Sequence, residues 1–225
     1  MDTVCELVGV SKRYAKRLVL DKVNIKVLAG EMVAITGKSG SGKTTILNIM
    51  GLLETSDNGV VRLFGANSPR PGSIGANKIL RTRLSYLFQN FALLENETVD
   101  SNLEIPLIYS KKARREKKRL KEAALEKVGL NTALKQRVYG LSGGEQQRVA
   151  IARILLKPCD LILADEPTGS LDDDNRNGIM RILKELNHNG KTIIIVTHDP
   201  YVAAECDRTI QLASGMVNVT PRQPV

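Results

Sequence analysis

Gly37-Lys38-Ser39-Gly40-Ser41-Gly42-Lys43-Thr44 is the stretch on which the reading of this fold turns. It fits the pattern GxxxxGK[ST] and stands between two legible elements. Before it, Met32 to Thr36 reads as a short apolar strand. After it, Thr45 to Leu53 carries Ile46, Ile49, Met50 and Leu53 at helical spacing. Glycines let the backbone wrap closely enough to aim several N–H groups at phosphate oxygens, and the start of a helix adds partial positive charge. Lys43 is long enough to reach β- and γ-phosphates, and the Thr44 hydroxyl suits Mg2+. Strand, loop and helix together point to a nucleoside triphosphate rather than a plain glycine-rich turn.

Downstream, Leu161-Ile162-Leu163-Ala164-Asp165-Glu166 is an apolar strand ending in two acids. An Asp at such a tip beside a phosphate loop is placed to hold Mg2+. Glu166 then points where an attacking water would lie, which makes it the candidate general base. A third feature is Leu141-Ser142-Gly143-Gly144-Glu145-Gln146-Gln147-Arg148. Ser142 and Glu145 have the spacing of a capping box, and the two glycines leave the helix-start amides open. By itself this is either an ordinary capped helix or a second anion-binding helix end, one without a lysine.

Around these motifs the chain alternates strand and helix. Val23, Ile25 and Val27 alternate as in a half-buried strand, Asn58-Gly59 signals a hairpin, and residues 65–80, with Pro69, Pro71, Gly72 and Gly75, read as a loop. Leu84 to Phe88 is another strand. Residues 92–140 turn charged and helical, with the clearest helix from Lys112 to Val128 stopping at Gly129. Beyond Gly140 come helices at 143–156, 175–188 and near 200–205, strands at 161–165 and 192–197, and a terminal hairpin at 208–219. The continuous apolar strands are those of a parallel sheet covered on both faces.

Composition sets outer limits. The chain has 225 residues, 42% hydrophobic and 25% charged, which suits one well-buried globular domain. No run exceeds four consecutive hydrophobic residues, whereas a spanning helix needs about 20, so no bilayer crossing is expected. The start, Met1 to Glu6, lacks the basic lead and apolar core of a secretory leader, and a cytosolic chain is expected. Cys5, Cys159 and Cys206 are widely spaced and odd in number, consistent with packed reduced thiols rather than a disulfide framework. With two histidines in the chain, a structural zinc site is not expected either. Lys plus Arg number 33 against 24 acids, a net +9 that suits phosphate ligands, nucleic acid or an anionic membrane face. Eight of those cations, with one acid, fall within Lys111–Lys121, which reads as a solvated helix face or as a surface for headgroups or a partner.

The order of phosphate loop, LSGGEQQR (141–148), LILADEP (161–167) and an isolated His198 resembles the ATP-binding subunit of ABC transporters over essentially the whole chain. The resemblance implies an α/β fold of the P-loop NTPase type. It has a RecA-like parallel-sheet core and an N-terminal antiparallel β portion (together 1–91 and 141–225), and an inserted α-helical subdomain at about 92–140. It implies ATP and Mg2+ as ligands, held by residues 37–45 including Thr45. Two copies would face head to tail, each ATP lying between the phosphate loop of one and Ser142, Gly143 and Gly144 of the other. Further roles follow from it: Tyr14 stacking on adenine, Gln89 reaching Mg2+ and water, His198 on the γ-phosphate, and Gly169-Ser170-Leu171-Asp172 along the dimer seam with Asp172 facing the other subunit. Residues 92–110 and the loop after Gln89 would dock a separate membrane permease at the inner face of the membrane, and no nucleic acid is expected.

Within that family, Phe88-Gln89-Asn90-Phe91, Thr98 to Leu103, ADEPTGSLD (164–172) and VTHDP (196–200) look like the lipoprotein-release, macrolide-export and antimicrobial-peptide group. The lysine-rich helix looks most like ATPases of lactococcin-type bacteriocin export or immunity. Two rivals stand beside export: an ATPase of a signalling or cell-division complex, and a soluble one acting on nucleic acid.

Overall fold

The computed structural model describes residues 2–130, 133–169, 171–213 and 215–221. A six-stranded sheet forms its middle layer, in the spatial order β10-β9-β3-β8-β7-β6. The strands are β3 (Met32–Thr36), β6 (Leu84–Leu87), β7 (Leu161–Asp165), β8 (Thr192–Val196), β9 (Arg208–Ala213) and β10 (Met216–Pro221). All pair in parallel except β10, which runs antiparallel to β9 at the edge.

Period-two alternation explains why these strands are apolar throughout. Val33, Ile35, Leu161, Leu163, Ile194 and Val196 face one core, and Met32, Ala34, Ile162, Ala164, Ile193 and Ile195 face the other. The first core is closed by α1 (Lys43–Met50) and by an antiparallel sheet ordered β2-β1-β4-β5. That sheet consists of β1 (Thr3–Tyr14), β2 (Arg17–Leu28), β4 (Asn58–Leu63) and β5 (Ala66–Asn67). The second core is closed by α5 (Gly143–Leu155), α6 (Asp173–His188) and α7 (Pro200–Ala204). Onto α5 pack α3 (Val99–Glu104) and α4 (Arg114–Lys127), through Val99, Leu103, Ala124, Leu125 and Val128. All three cysteines are free and buried. Burial pushes the Cys5 thiol up to about 12, so it packs as an apolar group.

Two sequence expectations need correction. Residues 65–80 are not a continuous loop, because α2 spans Ile74–Thr82. The Ser73 side chain accepts from the Ala76 amide and caps it, and Ala76, Ile79 and Leu80 turn toward the core. The preceding prolines and glycines end where this cap begins. Asn58-Gly59 is not a hairpin turn but the start of β4. A Cβ at Gly59 would lie 2.5 Å from the Gly9 carbonyl oxygen, so the glycine serves the close passage of β1. The hairpin turn is Phe64-Gly65, with φ of 54° and 82°, between the paired Leu63 and Ala66.

The basic run is also less solvent-facing than its composition suggests. Lys121 is only 3% exposed and bonds Asp100 and Glu104, while Lys117 bonds Glu104, so these cations fasten α4 to α3. Lys118 pairs with Glu122 along α4, and Lys112, just before the helix, pairs with Glu116 in its first turn.

Candidate active site

Register brings the site together. Ile35 of β3 lies opposite Val196 of β8, Val196 opposite Asp165 of β7, and Ala164 opposite Leu87 of β6. Four adjacent strands therefore end at one level, and the loops that leave them carry Gly37–Gly42, His198, Glu166 and Gln89. Ligands of parallel α/β sheets bind at such carboxyl ends.

The loop after β3 closes tightly on its surroundings. At Gly37, with φ 151°, a Cβ would lie 2.3 Å from the Leu212 carbonyl oxygen. At Gly42, with φ 101°, it would lie 2.8 Å from Leu20 Cδ2. Neither position admits a side chain. Gly42 caps α1 without a side-chain hydrogen bond, so the first amides of that helix are left for a ligand. The Ser41 hydroxyl is buried and has no hydrogen-bond partner among the described residues. Lys43 Nζ donates to the carbonyls of Gly37 (2.8 Å) and Lys38 (3.1 Å), which holds its charge inside the arc of the loop. Arg17 donates to the Gly40 carbonyl at 3.2 Å from outside. Lys38, Ser39 and Gly40 are exposed on the rim. Open amides, an orphaned hydroxyl and an enclosed ammonium fit phosphate oxygens.

Thr44 Oγ1 stands 3.5 Å from Asp165 Oδ1. Burial raises the Asp165 carboxyl above its ordinary range and Glu166 adds to this, while Thr44 and Lys43 pull it back. Two hard oxygens are a small donor set, which suits an ion that keeps waters and phosphate oxygens as its other ligands. Glu166 has φ 46°, a left-handed backbone that a non-glycine residue adopts at a cost of about 1–3 kcal/mol. Its amide donates to the Val196 carbonyl (2.9 Å), and His198 Nδ1 reaches its Oε1 at 2.9 Å. Gln89 is exposed in the turn after β6.

A second group lies at the start of α5. Ser142 caps that helix in a complete capping box with Glu145, and the amide and hydroxyl of Ser142 each donate to Glu145 Oε2 at 2.8 Å. Those bonds hold the Glu145 carboxyl below the usual range. Gly143 faces open space, and a Cβ on Gly144 would meet Asn175 at 3.2 Å. Asn175 is in turn held by Asp172, which caps α6, and by Arg148 at 3.3 Å. Asp172 and the α5 tip thus form one unit, although its hydrogen bonds do not reach the phosphate loop. Sequence reading missed Asn175 as the link, since nothing in its spacing marks it. Ser170 lies outside the described residues. Gln147 Nε2 ties α5 to the strand tips through the Pro167 carbonyl at 2.6 Å. Tyr14 is 45% exposed at the end of β1, and its hydroxyl donates to Glu54 at 2.6 Å.

Fold and cradle define the class: a phosphate-loop α/β nucleotide-binding protein. More particularly, the chain belongs to the ABC transporter family, whose model matches residues 20–169. Among curated relatives, the macrolide export ATP-binding/permease protein MacB of Photorhabdus laumondii is 40% identical over 221 residues, covering 96% of this chain and 34% of that protein. The Escherichia coli protein of the same name is 39% identical with the same coverage. The chain spans about a third of the length of these relatives. Among solved structures, the dimeric ATP-binding cassette MJ0796 bound to ADP and Pi superposes with a TM-score of 0.91 at 35% identity, covering 99% of this chain and all of that one. The structure of cbiO1 from Clostridium perfringens, part of the ABC transporter complex cbiONQ, gives 0.87 at 25% identity, with 99% of this chain and 89% of that one covered. No helix among the described residues is long and apolar enough to cross a membrane.

Proposed function

We propose that this chain is the ATP-hydrolysing cassette of an exporter, working as a head-to-tail pair that drives a membrane permease. The observation that carries this reading is the common level of four strand ends, which gathers a phosphate cradle, two acids and a histidine.

In this mechanism residues 37–45 hold the triphosphate, Lys43 turning from its own loop carbonyls to the β- and γ-phosphates. Tyr14 supplies the platform for adenine. Thr44 and Asp165, with Gln89, would hold Mg2+, which when bound offsets phosphate charge. Gly143 and Gly144 of the second copy approach the γ-phosphate with uncovered amides, Ser142 turning its hydroxyl to it from the capping box, and Asp172 faces the partner beside them. Closure excludes bulk water and strengthens each of these contacts. Glu166 takes a proton from the attacking water while His198 orients the γ-phosphate. Loss of that phosphate weakens the seam and the pair reopens.

The permease site is the groove walled by α2, the end of β6, residues 105–110 and the end of α5. Ile74, Ile108 and Tyr109 are 90%, 59% and 69% exposed along it, and such a cluster of exposed apolar side chains suits a partner surface. Likeness to the macrolide exporters supports an amphiphilic antibiotic or peptide as cargo.

Steady-state phosphate release with and without Mg2+, combined with light scattering of the Glu166→Gln protein in ATP, tests the reading. An Mg2+-dependent rate together with an ATP-induced dimer is expected. A chain that stays monomeric in every nucleotide state overturns the paired mechanism.

A further inference from the structure

The loop that carries Gln89 has an unusual backbone. Phe91 and Ala92 follow it with φ of 62° and 47°, successive non-glycine residues in the left-handed region. Such conformations persist only where their surroundings over-determine them. Local bonds do part of this, since the Phe91 amide donates to the Phe88 carbonyl (2.9 Å) and the Ala92 amide to that of Asn90 (2.7 Å). The rest comes from α5. Arg153 donates from Nη1 to the Ala92 carbonyl at 2.6 Å and from Nη2 to the Phe91 carbonyl at 2.9 Å. A planar fork that grips two successive carbonyls is stronger and more directional than a neutral bond. Two residues further on, buried Asn102 holds Leu94 by both its amide (2.8 Å) and its carbonyl (3.1 Å).

Arg153 sits ten residues beyond Gly143 on the same helix, about 15 Å along its axis at 1.5 Å per residue. One end of α5 therefore presents the amides proposed to meet the partner's γ-phosphate. Its other end grips the loop of Gln89. Arg153 also lines the floor of the groove assigned to the permease.

We propose that Arg153 is a positioning residue, a two-carbonyl clamp by which α5 fixes the Gln89 loop and transmits its own displacement to that loop. This rests on the reading of Gln89 given above. An arginine that merely packed the helix would have no need of two successive strained carbonyls.

The test compares Arg153→Met, Arg153→Lys, Gln89→Ala and the double variant Gln89→Ala/Arg153→Met, by steady-state ATP hydrolysis and by deuterium uptake of residues 88–96. Arg153→Met should lower kcat about 10- to 100-fold, as displacement of a reacting group by roughly an ångström does, with KM for ATP within about twofold. Uptake at 88–96 should rise while that at 143–150 stays as in the parent chain. Arg153→Lys keeps the charge and one donor direction, so it should recover part of the rate and carries the test if the Met variant does not fold. The double variant should be no slower than Gln89→Ala alone. Additive losses, or an unchanged kcat in Arg153→Met beside a slow Gln89→Ala, overturn the clamp. A Gln89→Ala chain at full rate overturns the role of Gln89 and with it the positioning claim. Raised uptake in that case locates the failure in the function of the loop rather than in the clamp's hold on it.

Discussion

His198 Nδ1 lies 2.9 Å from Glu166 Oε1, and the two side chains differ sharply in exposure, 70% against 13%. In the tautomer that carries its proton on Nδ1, the ring donates to the carboxylate oxygen. The pair joins the tip of β7 to the tip of β8 at the point where the triphosphate would end. Glu166 is thereby held by a neighbour on one side and by its own left-handed backbone on the other.

Glu166→Gln preserves shape and hydrogen bonding but cannot take a proton. Hydrolysis should fall by the ~10²–10⁴ of a general base, with ATP affinity retained and the dimer locked in ATP. Single-turnover hydrolysis at the parent rate removes Glu166 from that role.

Lys43→Ala removes the ammonium enclosed by the phosphate loop and leaves the Gly37 and Lys38 carbonyls without this donor. Nucleotide binding should be lost, as titration calorimetry with ATP will show. Measurable heat of binding with parent-like affinity would mean that the amides alone hold the phosphates.

Among the described residues nothing lies within 4 Å of where a Gly143 side chain would begin, so Gly143→Asp should fold and bind nucleotide almost unchanged. A carboxylate at that point would face the partner's γ-phosphate, and like charge should abolish the ATP-induced dimer. Size-exclusion chromatography with light scattering decides it, using Gly143→Asp in the Glu166→Gln background. Dimerisation at parent ATP concentrations would place the seam elsewhere.

The capping carboxylate predicts a pH effect. Bonds from Ser142 depress the Glu145 pKa in the folded state, so its contribution is fully present above the unfolded glutamate value, about 4.3. It is lost as pH falls through the lower folded value. Glu145→Gln should therefore melt below the parent at pH 7 and converge with it in acid. Parallel melting curves from pH 7 down to about 3 contradict this account.

Much of the site was legible because it obeys short-range rules. Glycines at 37, 40 and 42 before a lysine, acids at the end of an apolar run, and S-x-x-E at a helix start each encode local backbone geometry. The positions of β3, β7 and β8 followed from unbroken apolar runs, which only a doubly covered parallel sheet accommodates. Where local signals were ambiguous the reading failed. The Ser73 cap was hidden among prolines and glycines, and Gly59 served a neighbouring strand rather than a turn.

What no local rule contains is which strand ends meet. Asp165 follows Thr44 by more than a hundred positions, and only the register of β3, β8 and β7 brings their oxygens to 3.5 Å. The grip of Arg153 on Phe91 and Ala92, and of Asn175 between Asp172 and Arg148, arises in the same way. The sequence by itself determined the chemical parts: cradle, acids, histidine and capped helix. The tertiary structure decided their joinery, because side chains distant along the chain acquire partners only when sheet register and helix packing fix the spaces between them.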